Sequence, residues 1–199
     1  MTAGMPGEDP GWGKPHEIFL SLVPLLGRRQ LARARSSLAL TRKLFLAFVT
    51  ALLLFGVVLL LMDLGGEPGA PPALGVRSAV IGVVLVGLGS VTISFRIGGR
   101  LKCGTSGELL TRYRERFFLR IALSEIPALF GWAASILCEN PAPYFAGMAL
   151  ALVGFAGLAP TRANLQRDDE HLRAGGCATS LYEALLLPPA GRAAPPDPA

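Results

Sequence analysis

The residue best placed to do chemistry in this chain is Glu125, a carboxylate inside the apolar stretch FFLRIALSEIPALFGWAASILC at 117–138. An ionised side chain at the centre of a bilayer costs at least about 2.5 kcal/mol on insertion scales, so such a residue faces a protein partner, water or an ion. The carboxyl is therefore expected to be protonated much of the time. Glu125 is either a site that binds and releases a proton or a sodium ion, or a protonated packing residue that fixes how helices pair.

Four other residues are expected to support Glu125. Gly87 and Ser90 belong to a stripe of small residues, spaced by three or four, that lets a neighbouring helix approach closely. Counted from the cytoplasmic boundary, Glu125 lies at the same depth as this stripe on the antiparallel second span. The Ser90 hydroxyl could then hydrogen-bond the carboxyl. So could the Leu123 carbonyl, to which Pro127 cannot donate. Arg120 lies near the end of the same stretch and is expected to extend to the membrane interface rather than to pair with the acid.

The composition identifies the elements that must position these residues. Hydrophobic residues make up 51% of the chain and charged residues only 17%, which is too apolar for a soluble domain of this length. A bilayer core needs about 20 apolar residues per helix. The sequence therefore predicts an all-α integral membrane protein, a four-helix transmembrane bundle within 43–160 with spans at 44–64, 79–95, 117–138 and 144–159.

Four segments lie outside the predicted spans. Residues 1–15 are rich in Gly and Pro and are predicted to be disordered, as is the Pro-rich tail at 188–199. The basic amphipathic segment 16–42 is predicted to form a helix that lies on the cytoplasmic interface or covers the ends of the spans. Residues 161–187 are predicted to form a short cytoplasmic helical segment that glycines interrupt.

Lys and Arg residues are concentrated before the first span, between the second and third, and after the fourth. By the positive-inside rule both termini are then cytoplasmic, and the expected location is the inner membrane of a bacterium. The net charge of +5 is explained by attraction to the anionic lipids of the inner leaflet, so no nucleic-acid partner is expected. A homo-oligomer and a membrane-protein partner both remain open.

Cysteine and histidine give no further site in the sequence. The predicted topology places Cys103 and Cys177 on the reducing cytoplasmic side and Cys138 at the outer end of the third span, so no disulfide is expected. His16 and His171 have no ligand-type neighbours at metal-binding spacing. No nucleotide-binding loop or hydrolase motif occurs, and neither a catalytic site nor a cofactor is predicted.

The segment ALSEIPALFG, 122–131, resembles the carboxylate helix of the rotary ATP synthase c subunit. In that family a glycine-rich helix and a polar cytoplasmic loop precede an apolar helix, whose acid is followed by small and aliphatic residues, an aromatic and a glycine. The matching acid is Glu125. The resemblance, which covers the second and third spans, implies that this residue binds the transported proton or sodium ion.

A second resemblance covers more of the chain. The second half of the chain is similar to a group of four-span bacterial inner-membrane proteins. The similar features are the third span with its A-L-x-E core, the outer loop with E-N-P, the last span and the segment APTRANLQRDDEHL. This similarity implies a topology rather than an activity. The packing role is preferred over ion handling, because a proton relay normally has several acidic or histidine residues at bilayer depth and here Glu125 is the one candidate.

Overall fold

The computed structural model describes residues 36–65, 75–97 and 103–187. Within these ranges 86% of the residues are helical and there is no strand, which confirms the predicted all-α class. The segments predicted at 1–15 and 188–199, and most of 16–42, lie outside the described residues. The helices are α1 (Ser37–Gly65), α2 (Val76–Arg96), α3 (Ser106–Cys138), α4 (Ala142–Leu158), α5 (Arg162–Ala174) and α6 (Leu181–Leu186).

Three of these helices, α1, α2 and α3, are long and apolar enough to cross a membrane. Helix α4 has only 17 residues, and it meets the same criteria only when it is combined with α5 across a bend of 57°. By length and composition, the described residues thus contain three candidate spans, or up to four if the bent pair counts as one. They are the helices of a multi-pass membrane protein.

Two helices begin seven or more residues before the predicted spans. Helix α1 begins at Ser37 rather than near 44, and α3 begins at Ser106 rather than near 117. At α3 the cause is a capping box: the Thr105 hydroxyl accepts the Glu108 N–H at 3.4 Å, and the Glu108 carboxylate accepts the Thr105 N–H at 3.1 Å. Hydropathy indicates where a helix is apolar, whereas capping decides where it begins.

The chain divides into two compact units. The described residues within Met1–Ala47, Arg100–Arg114 and Ala159–Ala199 form the first, which we call the loop unit. Those within Phe48–Gly99 and Glu115–Leu158 form the second, which we call the span unit.

The interior of the loop unit is a cluster of buried residues, mostly leucines, from α1, α3, α5 and α6. Its members are Leu38, Leu109, Leu110, Tyr113, Leu165, Leu172, Cys177, Leu181, Ala184 and Leu185. Polar groups join the segments around it. The buried Arg42 side chain donates from Nε to the Pro160 carbonyl at 3.1 Å, and the Ser37 N–H donates to the Leu187 carbonyl at 3.0 Å.

Asp169 organises the end of the loop unit. Its buried carboxylate accepts the Leu181 N–H at 2.6 Å and the Ser180 hydroxyl at 2.7 Å. These bonds hold the first turn of α6 against α5, which itself ends where Gly176 takes a positive φ of 81°. One carboxylate thus fixes a short helix that would be marginal alone.

In the span unit, glycines bring α3 and α4 into direct backbone contact. A Cβ on Gly131 would lie 2.5 Å from the Pro143 carbonyl oxygen, and one on Gly147 would overlap the carbonyl oxygen of Pro127. A Cβ on Gly154 would lie 2.8 Å from the Ser124 Cβ. Glycines at an interface are the usual means by which helices pack closely in lipid. These contacts fix the position of α4 along the half of α3 that carries Glu125.

Candidate intramembrane polar site

Glu125 is half-buried in α3. The residues seven positions before and after it, Phe118 and Trp132, lie on the same helical face. Phe118 packs edge-on against Phe48 of α1 with ring centroids 6.5 Å apart, and Trp132 packs in the same way against Phe55 at 6.1 Å. The carboxyl therefore lies on the α1–α3 seam, between two aromatic pairs.

The polar neighbour of Glu125 is Tyr144 of α4. Its side chain is 1% exposed, and its hydroxyl donates to the Leu52 carbonyl of α1. The Tyr144 ring lies against Gly56 of α1. Glu125 interacts electrostatically with the Tyr144 hydroxyl. One tyrosine thus links α1 to α4 beside the acid of α3.

The position of Tyr144 is fixed by the short connection between α3 and α4. The Ser135 hydroxyl of α3 accepts the Tyr144 backbone N–H at 2.9 Å, and the Asn140 side chain accepts the Ala142 N–H, also at 2.9 Å. Glu139 takes a positive φ of 49°, the left-handed conformation that ends many helices. This turn sets the register in which Tyr144 reaches α1.

The small-residue stripe of α2 is buried, but residues of α3 other than Glu125 meet it. A Cβ on Gly87 would lie 2.9 Å from Pro127, and the Ser124 hydroxyl donates to the Ser94 hydroxyl at 3.2 Å. Ser90 donates within its own helix, to the Gly87 carbonyl at 3.1 Å, and the described residues contain no Ser90–Glu125 hydrogen bond. A neighbouring position is rotated by about 100° around a helix, so when Ser124 faces α2, Glu125 points aside.

Arg120 contacts the C-terminal end of α2. Its Nε donates to the Ser94 carbonyl at 2.9 Å, and its guanidinium lies 5.8 Å from the centroid of the Phe95 ring. The last carbonyls of a helix have no N–H partner within the helix, so an arginine there supplies a missing donor. Of the four predicted supporting residues, Gly87 and Pro127 meet where α2 packs on α3, and Arg120 binds the end of α2. Ser90 is buried and bonds within α2.

The prediction that Cys103 and Cys177 are unpaired is wrong: they form a disulfide, with their Cα atoms 5.5 Å apart. Leucine packing in the loop unit brings the start of α3 next to the segment that follows α5, and this approach cannot be read from two cysteines so distant in sequence. Cys138 is free and buried. No group of three or more metal-ligating side chains occurs in the described part of the chain.

Sequence reasoning missed Tyr144 and the glycine face of α4. A signal for the latter is present, because Gly147, Ala151 and Gly154 recur at spacings of four and three, and the stripe Gly87, Ser90 and Ser94 in α2 has spacings of three and four. No signal marks Tyr144 as the neighbour of Glu125. No family model, curated protein or solved structure matches this chain.

Proposed function

We propose that this chain is a structural or accessory component of a bacterial inner membrane. In this proposal a protonated Glu125 is a packing residue where α1, α3 and α4 meet. The observation that carries the proposal is the link made by Tyr144, whose hydroxyl donates to the Leu52 carbonyl beside Glu125. A protonated carboxyl has one donor and retains acceptor capacity, so it can join such a link without a net charge. Its role is then to fix the pairing of helices.

The orientation follows from charge. We place both termini in the cytoplasm, because Lys and Arg are enriched in the segments that make up the loop unit. The anionic inner leaflet is the expected partner of these basic segments. A second copy of the chain or another membrane protein would cover the apolar surface around the half-buried acid.

A second candidate function is proton or sodium binding at Glu125, as the resemblance to the c subunit implies. The observation that favours it is that Glu125 lies at an edge of α3 and keeps part of its surface open, so that an ion could reach it. Intramembrane acids often mark ion pathways. The two functions differ in whether the proton on the carboxyl must exchange.

The experiment that separates them measures proton and sodium flux in proteoliposomes of the purified protein under an imposed gradient. Glu125→Gln keeps the shape and hydrogen-bonding capacity of the side chain but cannot cycle a proton. Under the packing function we expect no flux in any variant, unchanged stability for Glu125→Gln, and a loss of about 0.6 to 2 kcal/mol for Glu125→Leu.

Glu139→Gln is the matched control, since it makes the same change in the exposed turn between α3 and α4. Flux that disappears in Glu125→Gln and persists in Glu139→Gln would establish ion handling and refute the packing function. Flux of equal size in wild type and both variants would remove the ion-binding candidate.

A further inference from the structure

The disulfide between Cys103 and Cys177 joins two segments of the loop unit. Cys103 lies just before α3, and Cys177 lies between α5 and α6. The separation of their Cα atoms, 5.5 Å, is within the usual range for a disulfide. Nearby, the Thr179 hydroxyl donates to the Gly104 carbonyl at 3.5 Å. The two segments are therefore adjacent through other contacts as well as through sulfur.

The two cysteines differ in exposure. Cys103 is exposed, whereas Cys177 is 8% exposed and belongs to the leucine cluster. A thiol in solution therefore has readier access to Cys103 than to Cys177. The Arg112 guanidinium donates to the Cys103 backbone carbonyl at 3.3 Å, which ties this segment to the start of α3.

The compartment decides what such a pair does. Given the orientation proposed above, the loop unit faces the cytoplasm, where thiols are kept reduced and disulfides are typically transient and redox-sensing. We propose that Cys103 and Cys177 form a redox modification site that exchanges with low-molecular-weight thiols and disulfides of the cytoplasm, with Cys103 as the entry point.

The exchange balances in two steps. When a small disulfide RSSR oxidises the reduced pair, the Cys103 thiolate attacks one of its sulfurs, forms a mixed disulfide and releases RS⁻. Cys177 then loses its proton and attacks the Cys103 sulfur, which forms the internal disulfide and releases a second RS⁻. The two thiol protons end on the two RSH molecules, and the reverse sequence reduces the pair.

Closing the disulfide ties the segment before α6 to the start of α3. That segment continues to Leu187, whose carbonyl accepts the Ser37 N–H at the beginning of α1. Oxidation therefore fastens the segment before α6 to the start of α3, and the same segment continues to the hydrogen bond with α1. Reduction leaves the leucine cluster and the Asp169 bonds to hold it.

The test uses the full chain with Cys138→Ser, in everted membrane vesicles equilibrated with reduced or oxidised glutathione, which does not cross the membrane. Free thiols are then labelled, after denaturation, with a polyethylene-glycol maleimide that shifts the band on a gel. We expect both cysteines to be labelled after reduced glutathione and neither after oxidised glutathione.

Two single variants test the entry point. In Cys177→Ser, the exposed Cys103 should form a mixed disulfide with glutathione readily, whereas in Cys103→Ser the buried Cys177 should react several-fold more slowly. Equal rates would contradict the assigned entry point.

A pair that stays oxidised in reduced glutathione would be a permanent structural disulfide. A pair that stays reduced in oxidised glutathione would not be a redox couple. Either result overturns the proposal. A response confined to right-side-out vesicles would overturn the cytoplasmic assignment alone. That outcome is distinguishable from a failure of the exchange chemistry.

Discussion

Helices in the span unit touch backbone to backbone at glycines, whereas in the loop unit leucine side chains fill the interior and polar side chains cap the helix ends. Lipid tails are as apolar as leucine, so helices in a bilayer gain little from burying leucine and rely on close approach and hydrogen bonds. A leucine cluster is stabilising where the alternative is exposure to water. The two units are therefore held together by different kinds of contact.

The strongest way to break this comparison is to widen a glycine contact of the span unit. We expect Gly147→Ala to destabilise the protein by about 3 kcal/mol, near the upper end of overpacking costs, because its Cβ would overlap the rigid Pro127 carbonyl. Thermal unfolding in detergent measures the loss. Gly89→Ala is the control, since a Cβ there meets nothing within 4 Å. Equal stability of the two variants would contradict the glycine contact.

An intermediate effect is expected when a cap of the loop unit is removed. Asp169→Ala deletes both bonds that hold the start of α6 and should cost about 2 kcal/mol, because the Leu181 N–H loses its buried acceptor. Hydrogen exchange should rise in α6 and remain unchanged in α2. Glu170→Ala, which removes a neighbouring exposed carboxylate, should leave exchange in α6 as it is. A matching rise in that variant would show that charge rather than capping matters.

The smallest effect sharpens the comparison within the span unit. Tyr144→Phe keeps the ring against Gly56 but removes the bond to the Leu52 carbonyl, so we expect a loss of about 0.6 kcal/mol, the average for hydrogen bonds between membrane helices. Thr92→Val removes a hydroxyl from the exposed face of α2 and should change nothing measurable. Chemical denaturation in mixed micelles distinguishes the two variants. A loss of about 2 kcal/mol or more for Tyr144→Phe would be larger than a single hydrogen bond between membrane helices contributes, and would contradict this account of the Tyr144 hydroxyl.

The sequence predicted the helical class and the approximate places of the apolar helices, because hydropathy over about 20 residues reflects the bilayer directly. It did not predict the early start of α3, which depends on the side chains of Thr105 and Glu108. Depth alone could not predict which side of α3 meets α2. It placed Glu125 level with Ser90, whereas the hydroxyl of α3 that bonds to α2 is that of Ser124, and its partner is Ser94. The approach of Tyr144 to Glu125 and that of Cys177 to Cys103 depend on tertiary packing, which the sequence pattern does not contain.

The tight turn at Glu139 has a consequence for how the protein is made. The first turn of α4 obtains an acceptor from Ser135 of α3, so in hydrocarbon the Tyr144 N–H is satisfied only if both helices are present. Helix α4 has 17 residues, somewhat short for independent insertion. During biosynthesis we therefore expect α3 and α4 to leave the translocon as one hairpin, with the acid of α3 already shielded by its partner when it first meets lipid.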